Sequence, residues 1–221
     1  MRNNLSQLIS LSKIEEKLYR PADAYELSRV TRMEHVKTTI VETPQEGIAA
    51  VAARIAQLIN RREANGQKTV LSLASGRSMR DLFVELVRLH KEEGLSFKNV
   101  VVFGSYEFYP LSDTTSGSMA QIQSQLLEHV DILPENVHTF PGDLPKEDVF
   151  AFCEEYEKAI VEAGGIDVQV LGIGQCGNIA MNEPGTQPNS STRLVIMDGN
   201  SRVDVKSLFG NVTQVPTCAI T

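Results

Sequence analysis

"KTVLSLASGRSMRDLFVELVRLHKEE", Lys68 to Glu93, sets a short β-rich run directly ahead of a small-residue turn and a long helical run. That order is the mark of a strand feeding a helix. It recurs downstream, in "NVVVF" before "SMAQIQSQLLEHV" and in "NVHTF" before "KEDVFAFCEEYEKAIVEA", and the series closes on "IDVQVLGIG" and "TRLVIMD". Upstream, "TTIVETP" reads as a short strand. Pro44 then opens a helix over "EGIAAVAARIAQLINRRE", with Ala, Ile and Leu on one stripe, and Asn65-Gly66 stops it. Strands separated by helices of roughly ten or more residues require right-handed crossovers. The pattern predicts an α/β fold: a doubly wound, mostly parallel sheet with helices on both faces.

Ahead of this series, Leu5, Leu8, Ile9, Leu11, Ile14 and Leu18 recur at a helical period that ends before Pro21, so residues 1–38 read as an N-terminal helical arm. Residues 39–221 read as one α/β domain, since neither a low-complexity segment nor a break in composition divides them. The apolar share is 42% and the charged share 22%, ordinary for a globular chain able to bury a core. The formal charge is −7, with 28 acids against 21 scattered bases, which argues against nucleic acid as a partner. Apolar runs such as "VQVLGIG" are too short for a bilayer span, and the N-terminus lacks the order of a signal peptide, so a soluble, cytoplasmic protein without a membrane partner is expected. Cys153, Cys176 and Cys218 are odd in number and lack CxxC spacing, so they read as reduced thiols. His35, His90, His129 and His138 show no ligand spacing, and no metal site is expected.

"LGIGQCGNIAMNEPG", Leu171 to Gly185, contains a literal GxGxxG match at Gly172, Gly174 and Gly177, followed at a dinucleotide-like spacing by Asp198. A dinucleotide site needs its glycines to lead into a helix whose free N–H groups hold the pyrophosphate. Before the strand-like run at Thr192 the chain instead supplies Pro184, Gly185, Pro188 and the loop formers "QPNSS". The glycines are better read as bringing backbone close to a ligand at the carboxyl end of a strand.

"GIGQCGNIAMNEPG" resembles the GxGxDGHIAFNEPG segment of the glucosamine-6-phosphate deaminase (isomerase) family. "LASGRS" stands where that family has its phosphate loop. "LHKEEGLSFKNVVVF", "HVDILPENVH", "AGGIDVQVLGIG", "STRL" and "VPTCAIT" follow the family's order, so the resemblance covers roughly residues 40 to 221. It implies conversion of glucosamine 6-phosphate to fructose 6-phosphate and ammonia by ring opening, proton transfer between C1 and C2, and loss of the amine. It implies no metal or organic cofactor. The NEPG element sets the chain apart from the sister 6-phosphogluconolactonases.

The same resemblance marks departures at the chemistry. Tyr106 in "FGSYEFY" stands at the position of the family's proton-abstracting aspartate, and Glu107 follows. A phenol with a reference pKa of about 10 donates rather than accepts at neutral pH. Glu107 is the alternative acceptor, although adjacent side chains on an extended segment face opposite ways. Cys176 and Asn178 stand where the family has an aspartate and its ring-opening histidine. Asn178 cannot shuttle a proton, and Cys176 reads as a small filler because nothing cationic near it in sequence would lower its pKa. Glu183 remains of the acid–base set. Losing one positioned acid or base costs about 10² to 10⁴ in rate, so weak or lost deamination is expected.

What the binding parts imply is clearer. Ser75, Gly76, Arg77 and Ser78 form a turn into a helix N-terminus suited to phosphate, Gly174 and Gly177 bring backbone to the sugar, and Lys206 in "VDVKSLF" stands one residue before the position of a family arginine. The resemblance places the family's next strand beyond "VPTCAIT", so a C-terminally incomplete domain is expected. An exposed sheet edge is then expected, with either a second copy or an additional domain completing the fold. Three readings stay open: a weak enzyme using Glu107 and Glu183, a hexosamine phosphate-binding regulatory module, or a structural piece of a larger assembly.

Overall fold

The computed structural model describes residues 38–111 and 113–221. The expected helical arm thus lies outside the described residues, apart from Thr38. Two compact units divide the chain, residues 1–47 and 48–221, and the α/β fold belongs to the second.

The "TTIVETP" stretch is not a strand. Residues 38–41 run as irregular chain and the backbone bends into α1, Pro44–Ala64. A short β-rich stretch forms a strand only where a pairing partner and a packing face exist. The end of α1 follows its local chemistry: Asn65 and Gly66 turn back onto the carbonyls of Arg62 and Glu63, with Gly66 at a φ of 67°.

From there the helix–strand alternation holds. β1 (Thr69–Leu73) leads to α2 (Arg77–Glu93), β2 (Val100–Gly104) passes through the short β3 (Glu107–Tyr109) to α3 (Ser118–Gln125), and β4 (Val137–His138) precedes α4 (Val149–Glu162) and β5 (Val168–Val170). β4, β2, β1 and β5 form a four-stranded sheet in that order, and every pairing in it is parallel. All five residues of β1 and of β2 are buried because helices cover both faces. Leu71, Leu73, Val100 and Val102 pack with Ala52, Ile55 and Ile59 of α1 and Leu82, Phe83 and Leu86 of α2. Val70, Val101 and Phe103 pack on the other side against Val149, Cys153 and Tyr156 of α4. The period-two alternation of the strands therefore builds two separate cores.

The closing segments depart from the parallel pattern. β6 (Leu194–Ile196) and β7 (Cys218–Ile220) join β3 in a second, antiparallel sheet of order β3-β7-β6, with α5 (Gly199–Val205) between them. "VPTCAIT" thereby becomes the central strand of that sheet, paired on both sides. Among the described residues no helix is long and apolar enough to cross a membrane.

Candidate functional site

The carboxyl ends of β1 and β2 lie side by side, and the chain leaving each carries a hydroxyl group into the same place. From β1 comes the turn Ala74–Gly76, and α2 starts at Arg77 with Gly76 as its N-cap. Gly76 has no side chain to cap the helix; the Met79 N–H donates to the Gly76 carbonyl at 3.1 Å, which leaves the N–H groups of Arg77 and Ser78 at the positive end of the helix dipole. From β2 comes Tyr106, buried, with its phenol oxygen 2.8 Å from Ser75 Oγ. Burial raises the phenol further above its ordinary pKa, against the bond to Ser75 that lowers it. Tyr106 is therefore protonated and neutral across the physiological range.

Glu107 points elsewhere, as alternation along an extended segment requires. Its carboxylate is buried and accepts three backbone N–H groups: Phe108 and Ser118 at 2.8 Å and Met119 at 2.9 Å. It thus seals the start of α3. Gly117 makes this approach feasible, since a Cβ there would stand 2.7 Å from Glu107 Oε2. Burial raises the Glu107 carboxyl above the usual carboxylate range, and the three N–H donors pull in the opposite direction.

The Leu171–Gly185 segment forms a compact loop after β5. The N–H of Gly174 donates to the Asn178 carbonyl at 2.9 Å, and Ile179 bridges to both Ile173 and Asn182. The Asn178 side chain lies directly over Gly174, where a Cβ would overlap it, and its amide donates to the Ala180 carbonyl at 2.9 Å. Gly177 holds a φ of 80° at the turn, and Cys176 beside it is half-buried and free. Glu183 accepts the N–H of Asp198 at 3.0 Å and the hydroxyl of Ser201 at 3.1 Å, so it fastens α5 to the loop.

These pieces converge. Arg77 at the start of α2 reaches Asp204 of α5 at 3.5 Å, and Phe209, just past α5, meets Phe108 edge-on at 5.1 Å, while Phe108 meets Tyr106 at 5.6 Å. Thr221 Oγ1 accepts from Asn182 at 3.4 Å and donates to the Ser105 carbonyl at 3.3 Å, tying the 178–183 segment to the residue before Tyr106. The phosphate-loop candidates Ser75, Gly76, Arg77 and Ser78 thus share one region with Tyr106 and, through α5, with Glu183. Lys206 is exposed two residues beyond Asp204. Glu107 stands behind this region rather than in it. Asp204, Ser201, Asn182 and Thr221 were not singled out from sequence. Asp204 lies 127 residues from Arg77, and no local pattern signals such a pairing. A cleft of about 550 Å³, bordered by Ser72, Ser105, Asn182, Glu183, Arg193 and Thr221, adjoins the site on the β5 side without reaching the Ser75–Ser78 turn. Among the described residues no group of three or more His, Cys, Asp or Glu is placed to hold a metal ion.

Residues 42–204 match the model of the family described as glucosamine-6-phosphate isomerases/6-phosphogluconolactonase. The chain belongs to that family. It is 43% identical over 222 residues to a glucosamine-6-phosphate deaminase-like protein of Bacteroides thetaiotaomicron, covering all of this chain and 34% of that relative. It is 39% identical to a glucosamine-6-phosphate deaminase of Bacillus pumilus, covering 75% of this chain and 68% of the relative. The chain thus spans about a third of the first relative and two thirds of the second. Among solved structures, a monomeric glucosamine-6-phosphate deaminase of the NagB superfamily superposes with a TM-score of 0.77 at 31% identity, over 84% of this chain and 75% of the other. The 6-phosphogluconolactonase of Thermotoga maritima, at 22% identity and a TM-score of 0.59, shares the fold. These family relatives agree with the α/β sheet described above.

Proposed function

We propose that this family member binds a hexosamine 6-phosphate through Ser75, Gly76, Arg77 and Ser78, with Gly174, Gly177 and Lys206 contributing on the sugar side, and that its deamination is weak or lost. The observation carrying this reading is the bond between Tyr106 and Ser75. It puts a neutral, buried phenol beside the anion-ready turn, where proton transfer between C1 and C2 would need an acceptor. A phenol raised above its ordinary pKa cannot serve as that base near neutral pH. Asn178 is an amide and offers none either. Glu107 is committed to the N–H groups of α3, and Glu183 to Asp198 and Ser201, so both are read as positioning carboxylates rather than as an acid–base pair. Cys176 serves as filler in the turn. A phosphorylated metabolite as ligand fits a cytoplasmic protein.

Calorimetric titration with glucosamine 6-phosphate, run beside an ammonia assay, tests both halves. The expected result is saturable binding with ammonia release at background. Steady release at an enzymatic rate would overturn the loss of chemistry, and absence of binding by every hexose phosphate would overturn the site.

A further inference from the structure

Tyr106 and Ser75 meet from different strands, 31 residues apart, and their surroundings set which way the proton between them runs. The phenol is buried, and a buried hydroxyl whose proton finds no acceptor is costly. Ser118 Oγ, a second buried hydroxyl of this region, forms no hydrogen bond, so among the described residues Ser75 Oγ at 2.8 Å is the phenol's acceptor. The chemistry of the pair agrees. A phenol O–H is the more acidic donor, and its oxygen, conjugated with the ring, is the poorer acceptor. Tyr106 therefore donates and Ser75 accepts.

Ser75 is half-buried at the turn into α2 and makes no other hydrogen bond among the described residues. With one lone pair held by the phenol, its hydroxyl can still turn its own proton towards the turn, and accepting from the phenol strengthens it as a donor. We infer that Tyr106 is a positioning residue of the anion site: it holds Ser75 as a hydrogen-bond donor, so that a phosphate at the start of α2 meets the Ser75 hydroxyl together with the N–H groups of Arg77 and Ser78. An ionised carboxylate at position 106 could only accept and would take the Ser75 proton for itself, whereas the phenol leaves that proton to the ligand. This rests on the proposed sugar-phosphate site and assigns Tyr106 a part in its affinity.

The test is a double-mutant cycle on the full chain, with Tyr106→Phe, Ser75→Ala and the pair titrated calorimetrically against inorganic phosphate and glucosamine 6-phosphate. Phe keeps the ring that packs edge-on against Phe108 at 5.6 Å, so the fold should hold. Ser75→Ala should weaken both ligands about tenfold or more, the scale of one hydrogen bond to a charged group. Tyr106→Phe should weaken both by a common factor of about three or more, within that same hydrogen bond's worth. In the Ser75→Ala background Tyr106→Phe should weaken neither further, because the phenol acts through the serine. Additive losses overturn the inference, as they would if the phenol merely supported the fold. Unchanged affinity in Tyr106→Phe overturns it too, and so does a loss confined to the sugar phosphate. Should Tyr106→Phe not fold, Ser75→Ala decides: undiminished phosphate affinity there overturns the inference while leaving the sugar-phosphate site intact. Failure of the unsubstituted chain to bind either ligand removes the site itself, and with it the inference.

Discussion

The β1–β2 centre and the outer β5 region are built on opposite principles. β1 and β2 are buried along their whole length, between two cores. β5 is three residues long, only partly buried, and among the described residues pairs with β1 alone. Beyond it Ile173 and Ile196 are each 80% exposed. The outer region is held instead by polar ties: Thr192 donates twice to Glu157 at 2.6 Å, and Arg193 donates to Asn182 at 2.8 Å. Packing sets the position of the Ser75–Ser78 turn and Tyr106, while hydrogen bonds set the loop carrying Asn178 and Glu183. The turn proposed to bind phosphate therefore sits in the packed half, and the loop proposed to face the sugar sits in the half held by hydrogen bonds.

Stability measurements can break this contrast most directly. Phe103 is fully buried, stacked on His138 at 4.2 Å and edge-on to Tyr156 at 5.5 Å. Phe103→Ala should cost about 3–5 kcal/mol in urea unfolding, whereas Ile173→Ala should stay within about 0.5 kcal/mol. Similar costs at both sites would abolish the distinction. Next in size, Glu107→Ala strands the N–H groups of Ser118 and Met119 and should cost about 2 kcal/mol or more in the same assay, against a smaller loss for half-exposed Glu183→Gln.

Arg77→Ala separates binding from folding. Arg77 is 81% exposed and its pairing with Asp204 is long, so unfolding should move by no more than about 0.5 kcal/mol. Affinity for a sugar phosphate should nevertheless fall about tenfold in calorimetry, the scale of a hydrogen bond to a charged group. A large melting shift with unchanged affinity would put Arg77 in the structural half.

The smallest effect sharpens the edge of the buried centre. Burial, with Lys68 nearby, lowers the pKa of His138 below its ordinary value. The unfolded chain then takes up the proton first as pH falls through about 6.5, so stability should decline on acidification in that window and recover above it. His138→Gln should flatten that part of the pH–stability curve, and an unchanged slope would assign it to other groups.

Much of the fold was legible because its signals are local. Pro44 at the first turn of α1 and Asn65-Gly66 at its end act within a few residues, and the apolar periods of β1, α2, β2 and α4 report which faces are buried. What misled was β-character without a partner: "TTIVETP" has strand composition and forms none, and "TRLVIMD" forms a strand that pairs antiparallel with β7 in a second sheet. Strand pairing joins distant segments, and composition carries no record of them. At the site, the Ser75–Ser78 turn and the opposite facing of Tyr106 and Glu107 followed from strand geometry, whereas Glu107's three N–H partners required the fold that brings Ser118 beside it.

The amino-acid sequence alone determined the strand–helix alternation, the family resemblance, and the residue types at positions 106, 176 and 178, because each is written in neighbouring residues or in the side chain itself. Only the tertiary structure decided which carboxylates remain available. Whether Glu107, Glu183 or Asp204 meets a ligand depends on donors 11, 18 and 127 residues away, which become neighbours only after the sheet and α5 have packed.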